Sequence, residues 1–289
     1  MAFQSCIQNS DTPFFAQNDV APLFDEQRLH QERQKAAVQC PHCHFLAHSV
    51  ETELMHRVHC CQDAFHHILI IGARTDILIT SFSDHQLTLA NAYGLPLSGK
   101  DRSSLSKATV LPFPLTTDRG EVPLSSAQFD LIIDCLTLHT ANNIPWLFRE
   151  YWRLLQKNGV YIAAFYGGET LRELRDSLLQ TELSLYGGAA LRVIPMIDLT
   201  TALRLLQSVG FHEIVADRDI NTISYPSLKA LFRDIKGMGE AYPFLTPPPP
   251  MTYHHFKKAE HYYRMHFPTA HEGCLQATVE VIFLNSRKK

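Results

Sequence analysis

The sequence predicts an α/β protein with one central, mainly parallel sheet of about seven strands, preceded by a helical extension. Three features predict it. A short β-branched run, Ile68-Leu69-Ile70-Ile71, stops at Gly72, as a buried parallel strand feeding a turn does. Runs of that kind then alternate repeatedly with amphipathic stretches. Finally, 289 residues with 45% hydrophobic content suffice for one large core but not for two of ordinary size.

In chain order, residues 1–22 read as a flexible segment and 23–289 as the domain, with a helical extension over 23–62 and the α/β core over 66–289. Leu23 to Ala37 is charged and rich in helix formers. From Cys43 to Cys60 the apolar residues Leu46, Val50, Leu54 and Val58 recur every four positions and place one stripe on a helix. After the first strand, Gln86 to Ala92 and Ala108 to Pro112 are weaker strand candidates. Phe129 to Cys135 is a fourth, and a helix opened by Pro145 is predicted to run to a stop at Asn158 and Gly159. Val160 to Phe165 is the next strand, with a helix from near Glu169. Asp198 to Val209 is a helix closed by Gly210, followed by strand-like His212 to Ile223. A helix starts at Pro226, a stiff proline run spans 247–250, Met251 to Phe267 is a last helix, and Ala277 to Leu284 is a last strand.

Composition excludes several functions. With 26 basic and 29 acidic residues, net charge −3 and no basic block, nucleic acid is a poor partner. The first twenty residues hold two Asp and no Lys or Arg, unlike a secretory or organelle leader. Apolar runs fall far short of the ~20 residues of a spanning helix. A cytoplasmic protein without a membrane span is expected. Seven cysteines, an odd and scattered set, read as reduced thiols rather than a disulfide framework.

Few residues announce chemistry. In a doubly wound sheet, ligands bind beyond the carboxyl ends of the strands, so the turn Gly72-Ala73-Arg74-Thr75-Asp76 is the candidate binding loop. His139 follows the fourth strand and either meets a ligand or packs at the rim, with no partner carboxylate identifiable. Cys40-Pro-His-Cys43 and Cys60-Cys61 lack the second spacer of a zinc ribbon and stand apart along a helix, so no metal is expected there. His44 and His48, four apart, read as a solvated helix face. Cys135 reads as an inert core residue. Arg172 and Arg175 either pair with Glu169 or Asp176 or grip a partner.

Four blocks carry a family resemblance: LFDEQRLHQERQKAA at 23–37, FDLIIDCLTLHTANNIP at 129–145, FYGGETLRELR at 165–175 and YPSLKALFRDIKGMGE at 225–240. In this order they resemble the methyltransferase-fold assembly factors of respiratory complex I, an arginine hydroxylase in mitochondria and regarded as a methyltransferase in bacteria. The closing ATVEVIFL at 277–284 is similar to the family's last strand. The resemblance implies the class I methyltransferase (Rossmann-like) fold and S-adenosyl-L-methionine as cofactor. It implies contacts from Gly72, Ala73, Arg74, Thr75, Asp76, Asn91, Asp118, Leu138 and His139, and methyl transfer to an unidentified acceptor, a protein among the candidates. Alternatives are a catalytically weakened assembly factor and an arginine hydroxylase, each with a respiratory-complex subunit as partner.

The sequence departs from the family at points that bear on the cofactor. Ile70 stands where an acid is expected, Asp76 where the loop has a second Gly, Asn91 and Tyr93 where an acid holds the ribose, and Thr140 where a Trp follows Leu-His. Weakened binding is the expectation, through a like-charge clash between Asp76 and the cofactor carboxylate that Arg74 could offset. A bulky residue at Gly72 is expected to abolish binding and leave the fold largely intact.

Overall fold

The computed structural model describes residues 21–91, 108–111, 122–241, 243–269 and 273–289. Two helices open it. The first, α1 (Glu26–Gln39), is capped by the Asp25 side chain, which accepts from the Arg28 amide at 2.9 Å. The second, α2 (Phe45–Cys60), follows a 3-10 turn at Pro41–His44 and buries Val50, Leu54 and Val58 of the predicted stripe together with Ala47 and Met55, while Leu46 is half-buried.

The sheet then forms from β1 (His67–Ile71), β2 (Gln86–Ala90), β3 (Thr109–Val110), β4 (Phe129–Cys135), β5 (Leu155–Tyr166), β6 (Phe211–Tyr225) and β7 (Leu275–Lys288). The strand order is β3-β2-β1-β4-β5-β7-β6, and β7 runs antiparallel to both of its neighbours. Between strands lie α3 (Ile77–Ser81), α4 (Ile144–Leu154), α5 (Arg172–Tyr186), α6 (Leu199–Val209), α7 (Leu228–Gly237) and α8 (Tyr253–His266).

Alternation along β1 separates the two faces. Ile68 and Ile70 pack with α2 and α3, while Leu69 and Ile71 pack with α4 and α6. A third cluster joins Leu174 and Leu178 of α5, Leu231 of α7 and Tyr263 of α8 to Leu275 and Ala277 of β7. Both sheet faces are thus covered, which explains why the central strands are almost wholly apolar. Among the described residues no helix is long and apolar enough to cross a membrane.

Three local expectations are corrected. Helix α4 ends at Leu154 rather than near Asn158, because Leu155 already pairs with Phe129 and draws residues 155–159 into β5. Helix α5 starts at Arg172 rather than near Glu169: Leu171 takes a left-handed φ of 55° and its amide donates to Thr278 O at 2.8 Å, which ties the segment to β7. The cysteines are not all reduced, since Cys40 and Cys43 form a disulfide; Cys60, Cys61, Cys135 and Cys274 are free thiols.

Candidate functional site

The loop after β1 turns sharply at Gly72, whose φ of +78° suits glycine. A Cβ there would lie 2.2 Å from Cys135 O and 2.3 Å from Thr137 Cγ2, so the turn is pressed against the end of β4. Ala73 and Arg74 are buried and Asp76 is exposed.

A carboxylate from α2 occupies the inner side of this loop. Glu51 Oε1 accepts from the amides of Arg74 at 2.7 Å and Thr75 at 2.9 Å, and Glu51 Oε2 accepts from the Thr75 hydroxyl at 2.5 Å. Glu51 is fully buried. Burial pushes its carboxyl above the usual range, and the hydroxyl and amide donors oppose that without reversing it.

The Arg74 side chain turns the other way, into a buried ionic cluster. Its guanidinium donates to Met238 O at 3.0 Å and to Glu240 Oε1. Arg33 of α1 meets the same carboxylate, with Nη2 at 2.9 Å from Oε1 and 3.1 Å from Oε2, and also donates to the Thr140 hydroxyl at 3.2 Å. His139 Nε2 lies 3.2 Å from Glu240 Oε2. Burial alone would raise Glu240, but Arg33, Arg74 and His139 outweigh it and hold its carboxyl well below the carboxylate range. Burial lowers His139 below its ordinary value, Glu240 opposes this, and the two guanidiniums add to it. Its ring meets Tyr166 edge to face at 4.8 Å.

The other predicted residues are distributed unevenly. Asn91 ends β2 beside Gly72, with φ 49° and a buried Oδ1 that has no hydrogen-bond partner among the described residues. Leu138 packs in the core on the α4 side. Asp118 lies outside the described residues. The structure therefore brings residues 72–76 and His139 into one assembly, with Asn91 on the adjacent strand end. Sequence reasoning missed Glu51, Arg33 and Glu240. Arg172 pairs with Glu169 at 2.8 Å and Glu173 at 3.3 Å, and Arg175 donates to Gly168 O at 2.8 Å, so both arginines have intrachain partners.

Beyond Glu240 lies a cavity of about 70 Å³, lined among others by Tyr166, Leu174, Tyr225, Leu231 and Ala277. Its wall is mostly apolar. Glu240 belongs to both places: it anchors the ionic cluster and forms part of the cavity lining.

Strand order 3-2-1-4-5-7-6 with an antiparallel seventh strand now stands beside a sequence match to the methyltransferase domain over residues 69–163. The chain has the class I methyltransferase fold. This domain superposes on a candidate methyltransferase of Bacillus halodurans with a TM-score of 0.54 at 12% identity, covering 83% of this chain and 99% of that one. It superposes on the YcgJ protein of Bacillus subtilis at 0.52, again at 12% identity, covering 82% and 98%. In sequence the chain is 37% identical over 124 residues to the mitochondrial arginine-hydroxylase NDUFAF5 of Danio rerio, covering 43% of this chain and 39% of that protein. It is 24% identical over 223 residues to the malonyl-[acyl-carrier protein] O-methyltransferase of Xylella fastidiosa, covering 75% and 72%. The chain is thus similar in sequence to the mitochondrial arginine-hydroxylases NDUFAF5, and the match spans about two fifths of their length.

Proposed function

We propose that this chain is an S-adenosylmethionine-dependent methyltransferase-like protein whose hold on that cofactor is weakened, and that it acts on a protein partner of the kind a respiratory-complex assembly factor serves. The observation that carries the reading is Glu51. The residues suit the cofactor unequally. At β2 the unpartnered Asn91 Oδ1 is an acceptor of the type a ribose hydroxyl needs, and Gly72 to Asp76 with Leu138 and His139 would form the neighbouring walls. Asp118 would read the adenine amino group. At the methionine end the residues do not fit as they stand, because Glu51 already takes the Arg74 and Thr75 amides and would repel a second carboxylate.

Calorimetric titration of S-adenosylmethionine into the native chain and into Glu51→Gln tests this. The variant removes the charge and keeps an acceptor, and it should bind roughly tenfold more tightly, the scale of one partly screened like-charge contact. Equal affinity in a variant with an unchanged melting curve would overturn it.

One observation favours a second reading, a non-catalytic assembly factor. Three of the four family-like blocks, at 23–37, 129–145 and 225–240, meet in the Arg33–His139–Glu240 cluster, which fixes α1 to the sheet. Arginine hydroxylation, the activity in the name of NDUFAF5, remains a further alternative for a protein acceptor. Failure of both native chain and Glu51→Gln to bind the cofactor at millimolar concentration would favour the non-catalytic reading.

A further inference from the structure

We infer that Cys40 and Cys43 form a redox-active pair that exchanges with a dithiol reductant, and that their state sets the position of residues 237–240 and through them the ionic cluster. The bond is poorly suited to a structural role. It links residues three apart whose backbones already meet in one turn, with the Cys43 amide donating to Cys40 O at 3.0 Å. Disulfide stabilisation grows with the length of the loop that is closed and is least for a loop this short.

The two sulfurs differ in access, as an exchanging pair requires: Cys40 is half-buried and Cys43 is buried. A reductant thiolate attacks Cys40 Sγ, the Cys40–Cys43 bond breaks, and Cys43 leaves as a thiolate that takes up a proton. The second thiol of the reductant then attacks its own sulfur in the mixed disulfide and releases Cys40 as a thiolate, which is protonated in turn. One dithiol is oxidised and one disulfide is reduced. Scrambling with Cys60 is remote, since it lies at the far end of α2, about 25 Å from Cys43 at a rise of ~1.5 Å per residue.

The coupling lies in the Gly-Met-Gly-Glu segment that ends α7. A Cβ on Gly237 would stand 2.3 Å from Cys43 Sγ and 3.2 Å from Cys40 Sγ. A Cβ on Gly239 would stand 2.7 Å from Arg33 Cα. The segment is therefore laid directly on the disulfide and on α1, and Glu240 follows at once. Two unbonded thiols need more room than a bonded pair, and in a close-packed interior the neighbour must move to supply it. The neighbour is Gly237, three residues from the carboxylate that Arg33, Arg74 and His139 share.

The test uses the full chain in a series of oxidised and reduced dithiothreitol buffers, quenched with an alkylating agent and mapped by mass spectrometry. Hydrogen exchange at residues 237–241 is followed in the same samples. The expected result is a two-electron transition confined to Cys40 and Cys43, with exchange at 237–241 accelerated roughly tenfold in the reduced form. Cys43→Ser should also react at Cys40 with the disulfide dithiobis(nitrobenzoate) without denaturant, forming a mixed disulfide and releasing one thionitrobenzoate. A pair reducible only after unfolding, exchange at 237–241 indifferent to redox state, or a zinc ion bound stoichiometrically by the reduced pair would each overturn the proposal. The buffer series on the native chain decides the matter even if the variant does not fold.

Discussion

Glu240 separates two regions built on opposite principles. On one side the loop after β1 is polar and filled by the chain itself: Glu51 holds its amides, and Cys135 and Thr137 press on Gly72. On the other side the cavity between α5, α7 and the β6–β7 pair is apolar and has room. The resemblance points to the first region for the cofactor, while the cavity described above lies in the second. A shared fold does not fix what each region binds, so the two regions have to be judged separately.

The largest effect should come from removing what the two regions share. Glu240→Ala leaves Arg33 and Arg74 buried without their common carboxylate, and should cost about 3–5 kcal/mol, the range for breaking a buried ion pair from one side. Urea unfolding would measure it, and a loss below 1 kcal/mol would mean that water or another group takes over.

Enlarging a side chain should next separate the regions. Gly72→Ala places a Cβ on backbone at positive φ, and a destabilisation of about 2–4 kcal/mol is expected from strain and overpacking. This replaces the expectation that Gly72 tolerates a bulky residue. Ala277→Val, in the cavity wall, should stay within about 1 kcal/mol of the native chain. Similar losses for the two variants would erase the contrast.

Asp134, behind the loop at the end of β4, should show a smaller, pH-dependent effect. Burial pushes its carboxyl up to about 6, against the hydrogen bond from Thr137 at 2.5 Å. The folded state thus holds this proton more firmly than the unfolded chain, and stability falls as pH rises from ~4 to ~6. Asp134→Asn removes that dependence, so its stability relative to native should be higher at pH 8 than at pH 5 by ~1 kcal/mol. An equal difference at both pH values would place the titration elsewhere.

Asp76→Gly should have the least effect. Asp76 is exposed, so its charge is screened, and removing it should change S-adenosylmethionine affinity by less than about threefold. A larger gain would return the block on the cofactor to Asp76 and away from Glu51.

The fold was legible where local pattern and tertiary environment agree. The unbroken run at β1 and the stretch 129–135 read as buried strands because helices cover both faces of the sheet. The edges of elements were less legible: residues 155–159 look like a helix end until Leu155 finds Phe129 on another strand. Of the site, the loop and His139 could be read from their places after strands. Their partners could not, because Glu240 lies 101 residues from His139 and Arg33 sits in a helix that reads as mostly charged and polar. Glu51 left one faint trace, an acid beside Val50 in an otherwise apolar stripe. Nothing in the spacing of Cys40 and Cys43 distinguished a disulfide from two thiols.

The position of β7 gives synthesis of this domain an awkward interval. Strand β6 touches the sheet only through β7, which is made after α7 and α8. At ~5–20 residues per second, β6 waits roughly 3–10 s with both edges unpaired. Such an edge invites pairing with another nascent chain. Glu213, Asp217 and Arg218, which form ion pairs in the finished fold, together with Asp219 place charges on this strand where they also discourage that encounter before the seventh strand arrives.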